Sequence, residues 1–152
     1  MTRKIIRVYI KTHANTRVDE DSFARDVLKI LSDKRGWGKK FKPVRVSLRA
    51  AADYKITLAS NGFIKKTCGF NKMSCTFMNR FKCYINATRW KYGSAESKLP
   101  LGEYRTYLIN HEFGHMQGYR DQATCPKKGQ KASVMLQHTL GLRGCKKNIW
   151  TI

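Results

Sequence analysis

The first third of the chain carries two successive patterns of apolar residues. Residues 3–11 form a β-branched run that includes Ile6, Val8 and Ile10, and this run predicts a strand with both faces partly covered. Three acidic residues at 19–21 then stand where a helix N-terminus favours negative charge. Apolar residues follow them at helical spacing: Phe23, Val27, Leu28 and Leu31. The pattern therefore predicts an opening strand and an amphipathic helix that lies on the sheet.

The middle of the chain predicts three more strands, at residues 44–49, 54–59 and 82–87. A loop over residues 60–80 carries glycines and two cysteines. Pro100 and Gly102 break the chain before a second predicted helix. Four residues of this helix fall on one side: Tyr104, Leu108, His111 and His115. The two histidines therefore share a face with core residues.

The second helix runs into the segment HEFGHMQGYRD, residues 111–121, which has the form HExxHxxGxxD. Four residues make slightly more than one helical turn, so His111 and His115 project from one face and can bind one zinc ion at about 2.0–2.1 Å. Glu112 can reach a zinc-bound water without binding the metal itself. Because the metal makes that water acidic, the pattern predicts Glu112 as the general base during attack on a carbonyl.

A catalytic zinc needs a third protein ligand and one open position. Gly118 is free to take a positive φ, which would end the helix and turn the chain back toward the metal. Asp121 occupies the place three positions later. HExxH alone is a modest signal, since two hydrogen-bonded core histidines would produce it too, whereas Gly118 and Asp121 make the full pattern specific. Met135 follows in a short apolar turn and, taken alone, is typical of a core residue.

At these residues the chain resembles the metzincins, whose motif HExxHxxGxx(H/D) is followed by a Met-turn beneath the metal. It is most similar to an uncharacterised metzincin-like domain of secreted or membrane-anchored bacterial proteins. The likeness covers nearly the whole chain, with landmarks at residues 35–37, 52–60, 85–86, 89–90, 104–105, 110–112, 134–137 and 141–145. It implies one α+β domain over residues 1–152 with a metzincin-like (zincin) fold. In that fold a twisted mixed sheet of about four strands packs against the N-terminal helix and the active-site helix, and an irregular C-terminal part contains the Met-turn.

The resemblance also implies roles for individual residues. Glu112 would be the catalytic base, Met135 would be the Met-turn residue, and one Zn2+ would be held by His111, His115 and Asp121. The closest family commonly has histidine where this chain has Asp121, so His138 is an alternative third ligand to consider.

The five cysteines bear on the compartment. Cys68/Cys75 and Cys125/Cys145 bracket Gly- and Lys-rich loops as disulfides would, and the family likeness supports the same two bonds with Cys83 left unpaired. A cysteine zinc cluster is the weaker alternative, because the chain has no CxxC pair. The pairing predicts a secreted or cell-envelope location with any leader removed; without the disulfides, a virion or intracellular location is expected.

The charge suggests an acidic partner. The chain has 31 Lys plus Arg against 10 Asp plus Glu, a net charge of +21 that attracts acidic polymers, nucleic acid or an acidic assembly. No single recognition helix collects the basic residues, which favours non-specific phosphate contact over base reading. The N-terminal apolar run is too short for a signal peptide, and no segment approaches the roughly 20 apolar residues of a membrane span. The chain as given is therefore expected to be soluble.

Two functions compete on these patterns. The first is a zinc-dependent endopeptidase that acts on proteins or peptides through a water activated by Glu112. The alternative is a basic structural or assembly protein, for example a virion component, that binds polyanions on the same fold. Glu112 favours the enzyme, because a structural zinc site has no use for that carboxylate. A third possibility is a sugar or cell-envelope ligand bound by exposed aromatic residues, which are Trp37, Trp90 and Tyr92. The alternative for the same residues is packing in the core or at its rim.

Overall fold

A computed structural model describes residues 2–150 as a five-stranded sheet with four helices. The strands are β1 (Lys4–Thr12), β2 (Phe41–Arg45), β3 (Tyr54–Ala59), β4 (Cys75–Phe77) and β5 (Lys82–Asn86). The helices are α1 (Glu20–Ser32), α2 (Asn61–Cys68), α3 (Ala87–Tyr92) and α4 (Leu101–Met116). Across the sheet the order is β2-β1-β3-β5-β4; the first four strands are parallel, and β4 is antiparallel to β5. The expected α+β class is confirmed.

Helix α1 covers the sheet as its pattern predicts. The Asp19 carboxylate accepts a hydrogen bond from the Ser22 backbone N–H at 2.8 Å and caps the helix. The buried side chains of α1 join those of β1 in one core: Phe23, Val27 and Leu31 with Ile6, Val8 and Ile10. Burying an aliphatic or aromatic side chain of this size contributes about 1.5–3 kcal/mol, so this contact holds the helix on the sheet.

The sheet has one strand more than the sequence suggests. Strand β4 and helix α2 lie within residues 60–80, which the pattern predicts to be a loop. The Ser60 hydroxyl accepts from the Phe63 N–H at 3.2 Å and caps α2, and a disulfide joins the last residue of α2, Cys68, to the first of β4, Cys75. A strand of three residues is too short to show an alternating pattern, which explains why the prediction was wrong here.

Strand β2 begins and ends earlier than predicted, at Phe41–Arg45 instead of residues 44–49. It contains Pro43, which has no N–H and is typical of an edge strand. The strand order places β2 at one edge, paired with β1 alone. The edge position therefore explains how strand β2 can contain a proline.

Trp37 and Trp90 pack in the core, which is the alternative to an exposed aromatic ligand site. The Trp37 indole N–H donates to the Asn110 carbonyl at 3.1 Å, and Trp90 packs edge-on against Phe23 with ring centroids 4.8 Å apart. Both tryptophans belong to the core, whereas Tyr92 is 78% exposed. The three residues do not form one aromatic surface for a sugar ligand.

Helix α4 and the chain after it form the second half of the core. The helix starts directly after Pro100, packs against β4 and β5, and is buried continuously from Tyr107 to Met116. Beyond it, the chain is irregular, as expected, apart from a 3-10 turn at His138–Leu140. A disulfide between Cys125 and Cys145 ties this segment together.

Candidate metal centre

The end of α4 orients the second histidine of the motif. Gly118 has a φ of +103°, and the Tyr119 N–H donates back to the Gly114 carbonyl at 3.2 Å. This reversal places the Tyr119 carbonyl oxygen 2.6 Å from Nδ1 of His115. A carbonyl only accepts, so Nδ1 carries the proton and the lone pair of His115 is on Nε2.

The first histidine is oriented by the turn that contains Met135. The Leu136 N–H donates to the Ser133 carbonyl at 3.0 Å and closes this turn, and Nδ1 of His111 donates to the Val134 carbonyl at 2.8 Å. By the same logic, the lone pair of His111 is on Nε2. Each imidazole is therefore held by one backbone carbonyl, in the way that metal-binding histidines usually are.

The two rings lie next to each other with their Nε2 atoms available. Their centroids are 4.8 Å apart, and the rings are perpendicular. Nε2 of His111 is fully buried and, among the described residues, has no hydrogen-bond partner. Burial lowers the pKa of His111 to about 3, against the smaller opposing effect of the hydrogen bond to the Val134 carbonyl. A neutral imidazole with an unpaired buried nitrogen is a suitable donor for a metal ion.

Glu112 lies between the histidine pair and the edge strand β4. Its side chain is buried, and one carboxylate oxygen accepts a hydrogen bond from the Thr76 hydroxyl at 2.5 Å. Burial raises the pKa of Glu112, while the neighbouring His115 and the Thr76 hydroxyl act in the opposite direction. The carboxylate thus has one fixed oxygen and an elevated proton affinity, which are properties of a general base.

A cleft of about 360 Å³ opens directly onto these groups. It is lined by Glu112 and His115, by Thr76 of β4, and by Arg120 and Gln122. Strand β4 is the last strand of the sheet order, so over residues 2–150 one of its edges has no neighbouring strand. The cleft is therefore bordered by an edge strand.

A family model matches residues 4–150, which is nearly the whole chain; it describes a protein of unknown function (DUF3152). The chain belongs to the DUF3152 family. No curated protein and no solved structure was found to match it. The family description assigns no activity to the site, so the chemistry of the site depends on its side chains.

In this DUF3152 chain, the structure brings His111, His115 and Glu112 together but leaves Asp121 outside. Asp121 is exposed and is absent from the lining of the cleft. Over residues 2–150, no three His, Cys, Asp or Glu side chains lie together as a metal-binding group. The predicted role of Asp121 as third ligand stays a prediction.

His138 has no ring nitrogen left for a metal. Its Nδ1 donates to the Leu136 carbonyl at 2.6 Å, and its Nε2 accepts the Asn148 N–H at 3.2 Å. The ring also packs against Tyr107 with centroids 4.4 Å apart. His138 is therefore a core histidine that supports the segment after the Met135 turn, and the structure does not support it as the alternative ligand.

Met135 packs under the motif helix. Its side chain is buried, and its sulfur lies so close to Gly114 that a Cβ at that position would collide with it. The same turn provides the carbonyl of Val134 that holds His111. The turn thus packs against α4 and orients a candidate ligand at the same time.

The cysteine predictions are confirmed. Cys68–Cys75 and Cys125–Cys145 are disulfides, and Cys83 is a free buried thiol whose pKa is raised by burial. Two disulfides fit an oxidising, extracellular location. Over residues 2–150, none of the helices has the length and apolar character that crossing a membrane requires.

Sequence reasoning missed three parts of the site. Thr76, which fixes Glu112, lies in a segment predicted to be a loop, and it carries no local signal. The carbonyls of Tyr119 and Val134 belong to the backbone and are invisible in a side-chain pattern. Gln122 directly follows the motif, and its polar side chain was the one sequence signal that pointed to a further residue of the site.

Proposed function

We propose that this chain is a zinc-dependent endopeptidase with a metzincin-like fold. The observation that carries the proposal is the pair of imidazoles, His111 and His115, each held by a backbone carbonyl with Nε2 left as a donor, beside the buried carboxylate of Glu112. Two neutral imidazoles next to a carboxylate that does not bind the metal are the donor set of a hydrolytic zinc site.

The residues present fit a zinc ion. The fully buried, unpartnered Nε2 of His111 would be stabilised by a cation, and Nε2 of His115 is accessible from the cleft. When bound, zinc would supply a Lewis acid that polarises a carbonyl and increases the acidity of water. His111 and His115 would hold it, and the loop after Gly118 would supply the third protein donor.

The other residues of the site have roles that follow from their contacts. Thr76 donates to one oxygen of Glu112, which leaves the second oxygen to accept a proton from water. Burial strengthens this proton affinity because it raises the pKa of Glu112. The same carboxyl can then give the proton to the leaving amine of the cleaved peptide.

Substrate binding would use the free edge of β4. An extended peptide can add to an exposed strand edge through backbone hydrogen bonds, which selects for polypeptides with little dependence on sequence. Arg120 borders the cleft of about 360 Å³ and would favour acidic side chains in the bound segment. Endopeptidase activity requires that the bound chain extend past the histidines in both directions along β4.

The fold supports the same proposal. The resemblance to metzincins implies a mixed sheet of about four strands, an N-terminal helix, an active-site helix and an irregular C-terminal part with a Met-turn. The chain has a mixed sheet of five strands, helix α4 with the motif, and a turn with Met135 packed against Gly114. The fold by itself does not establish an activity, so the proposal depends on the side-chain arrangement.

The test combines metal content with cleavage. Purified protein is expected to bind about one zinc ion per chain and to release peptides from casein in a chelator-sensitive reaction. Glu112→Gln should retain zinc but lose about 100-fold or more of the activity, because the amide cannot accept the proton. Glu103→Gln is the matched control, since this α4 carboxylate pairs with Lys147 on the surface. Absence of zinc binding, or full activity in Glu112→Gln, would contradict the proposal.

A second candidate function is favoured by the open face of the sheet. One row across the strands places Tyr9, Lys55 and Lys82 side by side, and the next row contains Lys11 and Tyr84. Together with Arg49, these residues border a cleft of about 260 Å³, and none of the residues that line it is acidic. Cations interleaved with tyrosines fit a single-stranded nucleic acid, with phosphates on the lysines and bases on the rings.

Salt-dependent binding tests this second candidate. A fluorescent oligothymidine is expected to bind to the protein. The double variant Lys55→Glu, Lys82→Glu should bind it more weakly. The slope of the logarithm of the binding constant against the logarithm of the salt concentration should fall in magnitude by about 1.4, which is about 0.7 for each lost phosphate contact. Lys127→Glu with Lys128→Glu changes the net charge equally outside this cleft. Equal weakening in both double variants would show that the net charge, and not the face of the sheet, binds the probe.

A further inference from the structure

We propose that Gln122, through its side-chain amide oxygen, is the third protein ligand of the metal. This inference rests on the proposed zinc site and concerns its composition. The amide of Gln122 lies 3.2 Å from Nε2 of His115, the nitrogen that the Tyr119 carbonyl leaves with a lone pair. It also lines the cleft together with Glu112 and His115.

The backbone around Gln122 explains why this residue points at the histidines. The next residue, Ala123, donates its N–H to the Met135 carbonyl at 3.0 Å, and Ala123 pairs with Leu136 in a short bridge. The turn that orients His111 therefore also fixes the chain immediately after Gln122. At the other end, the Tyr119 carbonyl holds His115. The segment between these two anchors carries Gln122, whose side-chain amide lies next to His115.

Within that segment, Gln122 contacts a histidine of the pair and lines the cleft, although its side chain is exposed overall. Asp121 is exposed, does not line the cleft, and is not grouped with the histidines. The chain bends at Asp121, and the hydrogen bond of Ala123 fixes the backbone on the other side of Gln122; in this arrangement the Gln122 amide contacts His115, whereas Asp121 does not line the cleft. The hydrogen bonds that fix the backbone on both sides therefore favour Gln122 as the ligand. The HExxHxxGxxD pattern indicates the preceding residue, Asp121.

The amide has the right chemistry for the position. Its nitrogen end donates to the Nε2 lone pair of His115, and rotation about the last side-chain bond exchanges the nitrogen and oxygen ends. The oxygen would then lie next to Nε2 of His115. An amide oxygen is neutral and a weaker zinc donor than histidine or carboxylate, so the site should bind zinc less tightly than one with three charged or imidazole donors.

The experiment compares two adjacent exposed residues in the full chain. Zinc affinity is measured by competition with a chromophoric chelator, and Co2+ is used as a second probe because its visible spectrum reports the ligands. Gln122→Ala is expected to weaken zinc binding by about tenfold or more and to change the Co2+ spectrum, whereas Asp121→Ala should change neither substantially. Gln122→His should tighten binding by a similar factor.

The outcomes distinguish the assignment of Gln122 as a ligand from the proposal of a zinc site. If Asp121→Ala loses the metal and Gln122→Ala retains it, Gln122 is not the ligand, while the proposed zinc site stands. Equal losses in both variants would show a general effect of the loop and would also overturn the assignment. If the unmodified protein binds neither Zn2+ nor Co2+, and Gln122→His binds neither, the zinc proposal itself fails. Thermal melting of each variant checks that the fold is retained.

Discussion

At the scale of single residues, Gly118 decides how the chain leaves the motif helix. Its φ of +103° allows the reversal that brings the Tyr119 carbonyl to His115, and there is open space around its Cα. Most L-residues are strained in this region of backbone space, so glycine is required for conformation and not for room. The orientation of a candidate ligand therefore depends on the backbone conformation of a residue that has no side chain to offer to the site.

We expect Gly118→Ala to lower the free energy of unfolding by about 1–2 kcal/mol because of this strain. It should also weaken zinc binding, since a shift of Tyr119 releases the His115 ring. Urea denaturation and chelator competition measure the two effects. Gly102→Ala is the matched control: it lies in α4 with open space around it, and alanine favours a helix there by up to about 1 kcal/mol. Unchanged zinc affinity in Gly118→Ala would contradict this account.

At the scale of elements, the contact between α4 and the Met135 turn is the closest packing in the site. Gly114 faces the Met135 sulfur, with Trp37 as the next neighbour. Any side chain at Gly114 would push the turn away, and the turn carries the Val134 carbonyl that holds His111. The packing of the Met135 turn and the orientation of the His111 ring are therefore coupled through Gly114.

Gly114→Ala should destabilise the fold by about 1–3 kcal/mol, because the added methyl group overpacks a rigid interface. Met135→Ala should cost about 2–5 kcal/mol through the cavity that it leaves. The double variant should lose less than the sum of both, since the methyl group then fills part of the cavity. Additive losses in denaturation experiments would show that the two residues are not in contact.

The loop between α4 and the Met135 turn is an element held by a disulfide. Cys125 and Cys145 are separated by 20 residues, and Cys125 follows the segment that carries Gln122. The other disulfide closes a separation of 7 residues between α2 and β4, and both of its cysteines line the cleft. The two bonds thus stabilise different segments around the site.

Replacing Cys125 and Cys145 by serine should lower stability by about 2–4 kcal/mol and weaken zinc binding, because the loop over the histidines gains freedom. Replacing Cys68 and Cys75 should cost less stability, since the closed loop is shorter, and should leave zinc affinity nearly unchanged. Denaturation midpoints and chelator competition separate the two results. Equal zinc affinity in both double variants would contradict a role of the longer loop in the site.

At the scale of the whole molecule, the charge of +21 is only partly balanced by local pairs. The acidic residues are used in surface ion pairs such as Arg7–Asp53 at 3.0 Å and Arg45–Asp21 at 2.8 Å. Exposed pairs of this kind contribute little each, about 0–1 kcal/mol. Repulsion among the remaining cations should therefore dominate the electrostatic free energy of the fold.

We expect the melting temperature to rise by a few degrees when NaCl increases from about 10 mM to about 150 mM, because the Debye length falls from about 30 Å to about 8 Å. Each kcal/mol of relieved repulsion corresponds to about 2–4 °C in a chain of this size. Differential scanning calorimetry measures the shift. A fall in melting temperature would mean that the ion pairs contribute more than the repulsion costs. The Lys55→Glu, Lys82→Glu variant should show a smaller rise.

The sequence by itself determined the parts of this protein that depend on local spacing. The i and i+4 positions put His111 and His115 on one helical face, Gly118 marked the reversal, and acidic residues marked the start of α1. These features depend on dihedral preferences and on the helical repeat, which act within a few residues. The family resemblance supplied the disulfide pairs that the structure contains.

Only the tertiary structure decided which groups meet across long separations. Thr76 reaches Glu112 from 36 residues away, the Val134 carbonyl reaches His111 from 23, and lysines of three strands line one cleft. The choice between Asp121 and Gln122 also depends on where Ala123 binds the Met135 turn. A sequence pattern cannot specify such contacts, because they are set by how separate elements pack and by the backbone hydrogen bonds that fix the register between them.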